Sequence, residues 1–312
     1  MEKKIAVIGL GKMGVDWVAN LLEGGFEVYG FDASAQSRET VEQRLKKGLG
    51  WIAKKRKAGE ENFVESAYSR FHLLDSEEAF LEKAKSASIF LEVVYEDLKL
   101  KCQLFERFIP PLPSEVIVWT NTSSLSIATM AEASGRPEKF LGTHGMNPVY
   151  QMPGVEVVVH EKLSDSTLQQ TLKILEELGK ITFVAADVPG FWVNKQLIPF
   201  MLEAVRALER GEIRVEDGDV GLKTCLGHPQ GVFKLADFIG IDTFYRVAVA
   251  MYLATQDPRY YPPALLARLF QREEWGVKTS KGFYEWDGFK PKGPRDFKDF
   301  QFQDASTVLL VP

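Results

Sequence analysis

Lys4 to Ile8 is a short apolar run rich in β-branched residues, and it leads through glycines into Val15 to Leu22, whose apolar positions recur at helical spacing. Phe26 to Phe31 forms a second apolar run, so the opening segment predicts strand, tight turn, helix and strand. The right-handed crossover of such a unit builds a parallel sheet. The alternation continues through the first half of the chain. Ile89 to Val94, Val116 to Thr120, Phe140 to Gly142, Val155 to Val159 and Ile181 to Val184 read as strands. Leu98 to Phe108 and Thr167 to Leu178 carry apolar residues three and four apart, as helices covering a sheet do. Val41 to Tyr68 predicts a helical pair around Ala58-Gly59 with a basic group at Lys54, Lys55, Arg56 and Lys57, which composition alone assigns to a solvated face.

After Asp187-Val188-Pro189-Gly190 strand signals almost vanish. Val193 to Glu209, Val215 to Cys225 and the region of Val247 to Ala254 are helical in pattern. The shift predicts two domains, residues 1–187 and 188–312, and an α/β fold: a doubly wound parallel sheet followed by an all-α C-terminal domain. From Asp287 onward the chain shows little periodicity, and no role is assigned to that stretch.

Composition narrows the function classes. The 312 residues are 45% hydrophobic and 26% charged, enough to bury a core, and 38 basic against 43 acidic residues leave a net charge of -5, which offers no field for a polyanion. Nucleic acid is not an expected partner. Two cysteines far apart, Cys102 and Cys225, form neither a disulfide framework nor a thiolate metal site, which suits a reducing cytoplasm. The apolar run after Met1-Glu2-Lys3-Lys4 stops at Gly11-Lys12 with no small-residue cleavage site, so it reads as a strand, not a signal peptide. No apolar stretch approaches the roughly 20 residues of a membrane span, and no membrane partner is expected.

Gly9-Leu10-Gly11-Lys12-Met13-Gly14 fits G-x-G-x-x-G. Its glycines serve a tight turn, close approach of backbone to a pyrophosphate, and close packing of helix on strand, while the helix from about Lys12 aims free N–H groups at the phosphates. Asp32 ends the next strand 18 residues after Gly14, near the spacing of an acid that accepts hydrogen bonds from the adenosine ribose. A carboxylate there repels the extra phosphate of NADP, so NAD is the expected cofactor, with Arg38 the neighbour that would argue for NADP. The fold is therefore read as Rossmann-type.

Oxidation of an alcohol needs a group to take the hydroxyl proton, and a histidine suits that task. Of His72, His144, His160 and His228, the last lies between Gly227 and Pro229 as in a turn. His144 follows a strand-like segment in Gly142-Thr143-His144-Gly145-Met146-Asn147-Pro148, at the carboxyl edge where open α/β sheets bind ligands.

In order and spacing, Asn121-Thr122-Ser123-Ser124-Leu125, His144 with Asn147-Pro148, Val155-Glu156, Asp187-Val188-Pro189-Gly190-Phe191, Asn194 and Lys278-Thr279-Ser280-Lys281-Gly282-Phe283-Tyr284 resemble the NAD-dependent 3-hydroxyacyl-CoA dehydrogenase family, over residues 1 to about 286. The resemblance implies that His144 is the general base, that Glu156 positions its imidazole, and that Ser123 and Asn194 hydrogen-bond the substrate oxygen. It also implies that Glu96, Lys101, Asn121, Ser123, Asn147 and Lys278 line the NAD site together with Gly9 to Gly14 and Asp32. Without it, Glu96 and Lys101 could equally be an exposed helix pair. By the same likeness the basic helical pair resembles a coenzyme A clamp with Lys55 on the phosphates, the substrate is an acyl-CoA of fatty acid metabolism, and the helical domain forms a homodimer.

The chain departs from the family between His144 and Glu156. Gly145-Met146 stand where two aromatics are usual, Met152-Pro153-Gly154 replace Met-Lys-Leu, and Gly48 replaces a clamp serine. Loss of a phenylalanine at Gly145 is expected to widen the substrate pocket. Tyr150 and Pro153 resemble relatives that oxidise small free hydroxy acids, the carnitine and L-gulonate dehydrogenases, so a coenzyme-A-independent dehydrogenase is the alternative. A third reading, a crystallin-like NAD-binding structural protein, is opposed by the presence of Ser123, His144, Glu156 and Asn194 together.

Overall fold

The computed structural model describes residues 3–56 and 60–297, so Lys57, Ala58-Gly59 and the end of the chain after residue 297 lie outside the described residues. The chain divides into two compact units, Met1–Trp192 and Val193–Pro312.

In the first unit the strands are β1 (Lys4–Ile8), β2 (Glu27–Phe31), β3 (Phe71–Leu73), β4 (Ile89–Glu92), β5 (Ile117–Thr120), β6 (Phe140–Gly145), β7 (Gly154–Val159) and β8 (Ile181–Ala186). They alternate with helices α1 (Lys12–Glu23), α2 (Ala35–Arg56), α3 (Glu60–Tyr68), α4 (Glu77–Ala84), α5 (Leu98–Phe108), α6 (Ile127–Ala133) and α7 (Asp165–Glu177). Among the described residues the sheet has the order β3-β2-β1-β4-β5-β6-β7-β8. Ile5 and Val7 face a core built with α1, α2, α3 and α7. Ala6 and Ile8 face a second core built with α4, α5 and α6. Alternate residues of β1 thus bury two opposite faces, which is why its sequence is uniformly apolar and why the sheet is doubly wound.

Two features differ from the sequence reading. β3 is three residues long and too short to leave a periodic signature. The sheet is also not wholly parallel: β7 runs antiparallel to β6, and β8 is parallel to β7. Hydrophobic periodicity reports burial and pleat but carries no strand direction.

The second unit contains α8 (Val193–Glu209), α9 (Val215–Cys225), α10 (Val232–Ile239), α11 (Ile241–Thr255) and α12 (Ala264–Gln271) around an apolar core that includes Met201, Phe233, Phe244 and Leu266. It is not entirely helical, because β9 (Tyr284–Asp287) and β10 (Lys290–Pro294) form an antiparallel hairpin that begins within the region read as helical and continues into the unassigned stretch from Asp287. Two buried carboxylates fasten that end of the unit. Asp237 accepts the backbone N–H groups of Phe283 and Tyr284 and the indole N–H of Trp286, each at 2.9 Å. Asp219 accepts the Tyr284 hydroxyl at 2.9 Å and the Phe233 N–H at 2.8 Å. A Cβ on Gly282 would stand 2.0 Å from Asp237 Oδ1, so the glycine of Lys281-Gly282-Phe283-Tyr284 is demanded by this approach. Among the described residues no single helix is long and apolar enough to cross a membrane.

Candidate active site

Strands β1, β2, β4, β5 and β6 are parallel, so their carboxyl ends share one edge, and the order reverses between β1 and β4, where open sheets form a crevice. Gly9 leaves β1 with φ +95°, and a Cβ there would meet the Val93 carbonyl oxygen at 2.4 Å. Gly14 packs so closely that its Cβ would lie 1.9 Å from the Gly9 carbonyl oxygen, whereas a Cβ on Gly11 would meet nothing within 4 Å. Two glycines therefore fold the loop against the sheet and the third leaves open space before the N-terminus of α1, where Lys12 is exposed and Met13 half-buried. That shape and the free N–H groups of the helix start are what a pyrophosphate would require. Asp32 stands at the end of β2, its Oδ2 accepting the Leu10 N–H at 2.7 Å and its Oδ1 the Ser34 N–H at 2.8 Å. Arg38 donates to the Asp32 backbone carbonyl at 2.5 Å, and its guanidinium lies over the Phe31 ring.

The next two strand ends are joined through a carboxylate that sequence reasoning missed. Glu92, fully buried at the end of β4, accepts Lys101 Nζ, the Thr120 hydroxyl and the Val94 N–H, each at 2.6 Å. Lys101 is buried on α5, so the exposed-pair alternative for Glu96 and Lys101 is corrected: Glu96 precedes α5, and Lys101 is held mainly by Glu92. Glu96 Oε1 accepts the Thr122 hydroxyl at 2.6 Å and the Ser123 N–H at 2.8 Å, while its Oε2 lies 3.3 Å from Lys101 Nζ. The loop after β5 that carries Ser123 is thereby tied to the loop after β4. Asn121, also on that loop, receives two donors on Oδ1, the Trp17 indole N–H at 2.6 Å and the Gly145 N–H at 3.0 Å.

His144 lies within β6, which extends three residues beyond the predicted Gly142. The reversal of β7 places Glu156 directly opposite it in the ladder. Cross-strand partners present their side chains on one face about 5 Å apart, so the pair meets by register alone. His144 Nδ1 lies 3.0 Å from Glu156 Oε2, with the imidazole almost wholly buried and the carboxylate completely so. Glu156 Oε1 accepts the Trp192 N–H at 2.6 Å. The Phe191 ring stands edge-on to the imidazole, 6.0 Å between centroids. Both contacts come from the turn after β8, where Gly190 and Phe191 have positive φ and Asp187 accepts the Ala128 N–H at the start of α6 at 2.8 Å. A carboxylate oxygen facing Nδ1 is matched by the tautomer with its N–H there, which leaves an unshared pair on Nε2.

The departures from the family pattern have physical partners. A Cβ on Gly145 would lie 3.0 to 3.2 Å from Trp17 Cζ2, Cε2 and Nε1, so the expected widening is corrected: the indole fills the space beside Gly145. At Gly48 a Cβ would touch the Tyr150 ring at 3.4 Å, and that ring packs against Trp51 with centroids 5.5 Å apart. The exposed Lys55 ammonium lies 5.4 Å above the Trp51 ring. Lys180, buried, donates to the Val149 and Met152 carbonyls at 2.5 and 3.0 Å, and burial lowers its pKa to about 8. Asp16 on α1 is also buried, with a bond from the Val149 backbone and an unpartnered Oδ2, and burial raises its carboxyl to about 6.

Asn147 is exposed on the loop after β6. Asn194 and Lys278 belong to the second unit. Asn194 is half-buried in the first turn of α8, and Lys278 Nζ donates to Asp242 at 2.7 Å and to Thr243 at 3.1 Å. Among the described residues no cluster of His, Cys, Asp and Glu could hold a metal ion.

Residues 4–188 match the family described as 3-hydroxyacyl-CoA dehydrogenase, NAD binding domain, and residues 190–286 match 3-hydroxyacyl-CoA dehydrogenase, C-terminal domain. The chain is 33% identical over 91% of its length to a probable 3-hydroxybutyryl-CoA dehydrogenase of Bacillus subtilis, covering 98% of that protein. It is 34% identical to the mitochondrial hydroxyacyl-coenzyme A dehydrogenase of Sus scrofa, over 92% of each chain. Among solved structures, (S)-3-hydroxybutyryl-CoA dehydrogenase PaaH1 from Ralstonia eutropha superposes with a TM-score of 0.85 at 30% identity, over 92% of this chain and 100% of that one. By both of its matched regions, this chain belongs to the 3-hydroxyacyl-CoA dehydrogenase family of NAD-dependent oxidoreductases.

Proposed function

We propose that this protein oxidises an L-3-hydroxyacyl-CoA to the 3-ketoacyl-CoA, and catalyses the reverse reduction, with NAD as cofactor. The observation that carries the mechanism is the buried His144 Nδ1 to Glu156 Oε2 contact of 3.0 Å at the carboxyl edge of the NAD-binding sheet. The glycine cradle fits a dinucleotide, with Gly9 to Gly14 on the pyrophosphate, Asp32 on the adenosine ribose, and Glu96, Lys101, Asn121, Ser123, Asn147 and Lys278 lining the remainder. When bound, the nicotinamide supplies the hydride acceptor for oxidation and the donor for reduction.

The chain's own residues handle the proton. His144 Nε2 takes it from the 3-hydroxyl during oxidation and returns it during reduction, while Glu156 fixes the tautomer and offsets the charge of the imidazolium. Ser123 and Asn194 hydrogen-bond the substrate oxygen, orienting the carbon that bears it and stabilising charge that develops there. Lys55 offers a point charge to a coenzyme A phosphate. The region before Asp187 serves as the cofactor domain, and the helical region after it as the substrate and homodimerisation domain of a cytoplasmic enzyme.

A second reading, oxidation of a small free 3-hydroxy acid, is favoured by one observation: the Tyr150 ring packs within 3.4 Å of where a Cβ would stand at Gly48, the position of the family's clamp serine. NADH absorbance distinguishes the two, comparing acetoacetyl-CoA with acetoacetate and 3-hydroxybutyryl-CoA with carnitine and gulonate. Turnover of the thioesters alone supports the acyl-CoA assignment. Turnover of free acids alone would replace it, leaving Lys55 on a solvated helix end.

A further inference from the structure

Trp17 lies outside the glycine motif, one turn further along α1, and has no exposed surface. A tryptophan on the buried face of a helix needs no function to explain it, but this one spends its single polar group on a residue of the candidate site. Its Nε1–H donates to Asn121 Oδ1 at 2.6 Å, shorter than the 3.0 Å bond that the Gly145 N–H makes to the same oxygen. With two donors converging on Oδ1, the amide plane has one satisfied orientation. Turning it over would set the Asn121 NH2 against two N–H groups, with no acceptor among the three.

Trp17 and Gly145 are linked by geometry. A side chain at position 145 would begin 3.2 Å from the indole nitrogen and 3.0 Å from its Cζ2, close enough to push the ring that reaches Asn121 by a few tenths of an ångström. Gly145 also supplies the second N–H. From these contacts we infer that Trp17 is a positioning residue for cofactor binding: its indole N–H, together with that of Gly145, locks the Asn121 amide so that its NH2 is the group offered to an acceptor on the cofactor. The inference rests on the assignment of Asn121 to the NAD site. Trp17 itself has no part in the chemical step.

A double-mutant cycle in the full-length protein tests this, with NADH dissociation constants from titration of its fluorescence and initial rates for the KM of NAD and kcat. Trp17→Phe keeps most of the ring and removes the N–H. It is expected to raise the NADH Kd about fivefold, the equivalent of one neutral hydrogen bond, and to raise the KM for NAD with kcat at saturation nearly unchanged. Asn121→Ala is expected to weaken NADH at least as much, and Trp17→Phe/Asn121→Ala to bind no more weakly than Asn121→Ala alone. Gly145→Ala gives a second route if the tryptophan variant folds poorly, because it leaves the indole present but displaces it, and its effect on Kd should also vanish in the Asn121→Ala background. Effects that multiply in the double variant, or an unchanged Kd in Trp17→Phe beside a weakened Asn121→Ala, would overturn the positioning role. An unchanged Kd in Asn121→Ala would remove Asn121 from the cofactor site and the inference with it, whereas absence of any turnover by the unaltered protein would reject the dehydrogenase function itself.

Discussion

Replacing Glu156 by Gln changes one atom and the charge at the centre of the proposed proton relay. The carboxylate accepts from two sides, from His144 Nδ1 at 3.0 Å and from the Trp192 N–H at 2.6 Å. A glutamine amide has one oxygen and one NH2, so it satisfies one partner and opposes the other. If the oxygen faces Trp192, the NH2 faces Nδ1, selects the tautomer protonated on Nε2, and removes the base. If the oxygen faces His144, the tautomer survives, the NH2 opposes the Trp192 N–H, and the imidazolium formed in the reaction loses its counter-charge. In either arrangement a charge-assisted hydrogen bond to a buried group is lost, about 2 to 3 kcal/mol, which corresponds to roughly 30- to 150-fold in kcat. The assay is kcat for acetoacetyl-CoA reduction at saturating NADH, with NADH affinity and thermal unfolding measured alongside. A fall in kcat of less than about threefold, in a protein that remains folded and binds NADH normally, would refute the argument that Glu156 acts through His144.

His144→Gln should leave NADH affinity near that of the unaltered protein while kcat falls by roughly two orders of magnitude or more, since Nε2 is the proposed proton acceptor; steady-state rates with NADH titration check both. Asp32→Ala should weaken NAD and narrow the preference over NADP, read from paired titrations of the two cofactors. Lys101→Met should cost about 3 to 5 kcal/mol in chemical denaturation because it leaves Glu92 buried with its charge uncompensated, and Lys101→Met combined with Glu92→Gln should recover part of that loss. The Asp16 carboxyl is raised to about 6, above its ordinary 3.8, so the folded protein holds that proton more tightly and the resulting stability, fully present below pH 4, is lost as pH rises through 6. Asp16→Asn should therefore raise the melting temperature at pH 7 and flatten the pH dependence between 4 and 6; a lowered melting temperature at pH 7 would contradict it.

The glycine loop and Asp32 were legible in the sequence because their chemistry is local. A turn, a helix start and a strand end occupy one short segment, and the backbone approach at Gly9 and Gly14 can be argued from residue type alone. The assignment of Glu156 needed a family likeness, because what brings it to His144 is the reversed direction of β7, and an apolar run reads the same in either direction. Glu92 was missed for a related reason. It closes a strand, where polar residues are ordinary, and its three donors come from the following loop, from α5 and from β5. The hairpin of β9 and β10 was illegible because β9 alternates buried and exposed positions over only four residues, while β10 is mostly exposed and shifts register between Pro291 and Gly293.

The expected widening at Gly145 failed for a further reason. Reading a substitution position by position assumes that the rest of the pocket stays fixed, but a buried site is packed to nearly crystalline density, and volume removed from one wall is supplied by another element or leaves a costly void. Gly145 sits against Trp17 of α1, and Gly48 of α2 sits against Tyr150 of the loop after β6. Each glycine lets an aromatic ring approach from elsewhere in the fold. The ring at Gly145 ends in a hydrogen bond to Asn121, and the ring at Gly48 lies tilted against Trp51, over which the Lys55 ammonium sits. In this chain an aromatic ring from α1 packs against the glycine that ends β6, and one from the segment joining β6 to β7, the same segment that separates His144 from Glu156, packs against a glycine of α2. Selectivity for the acyl portion should follow the paired positions 17 with 145 and 48 with 150, so that changing one member of a pair alters stability more than substrate preference, while exchanging both together alters preference at little cost to the fold.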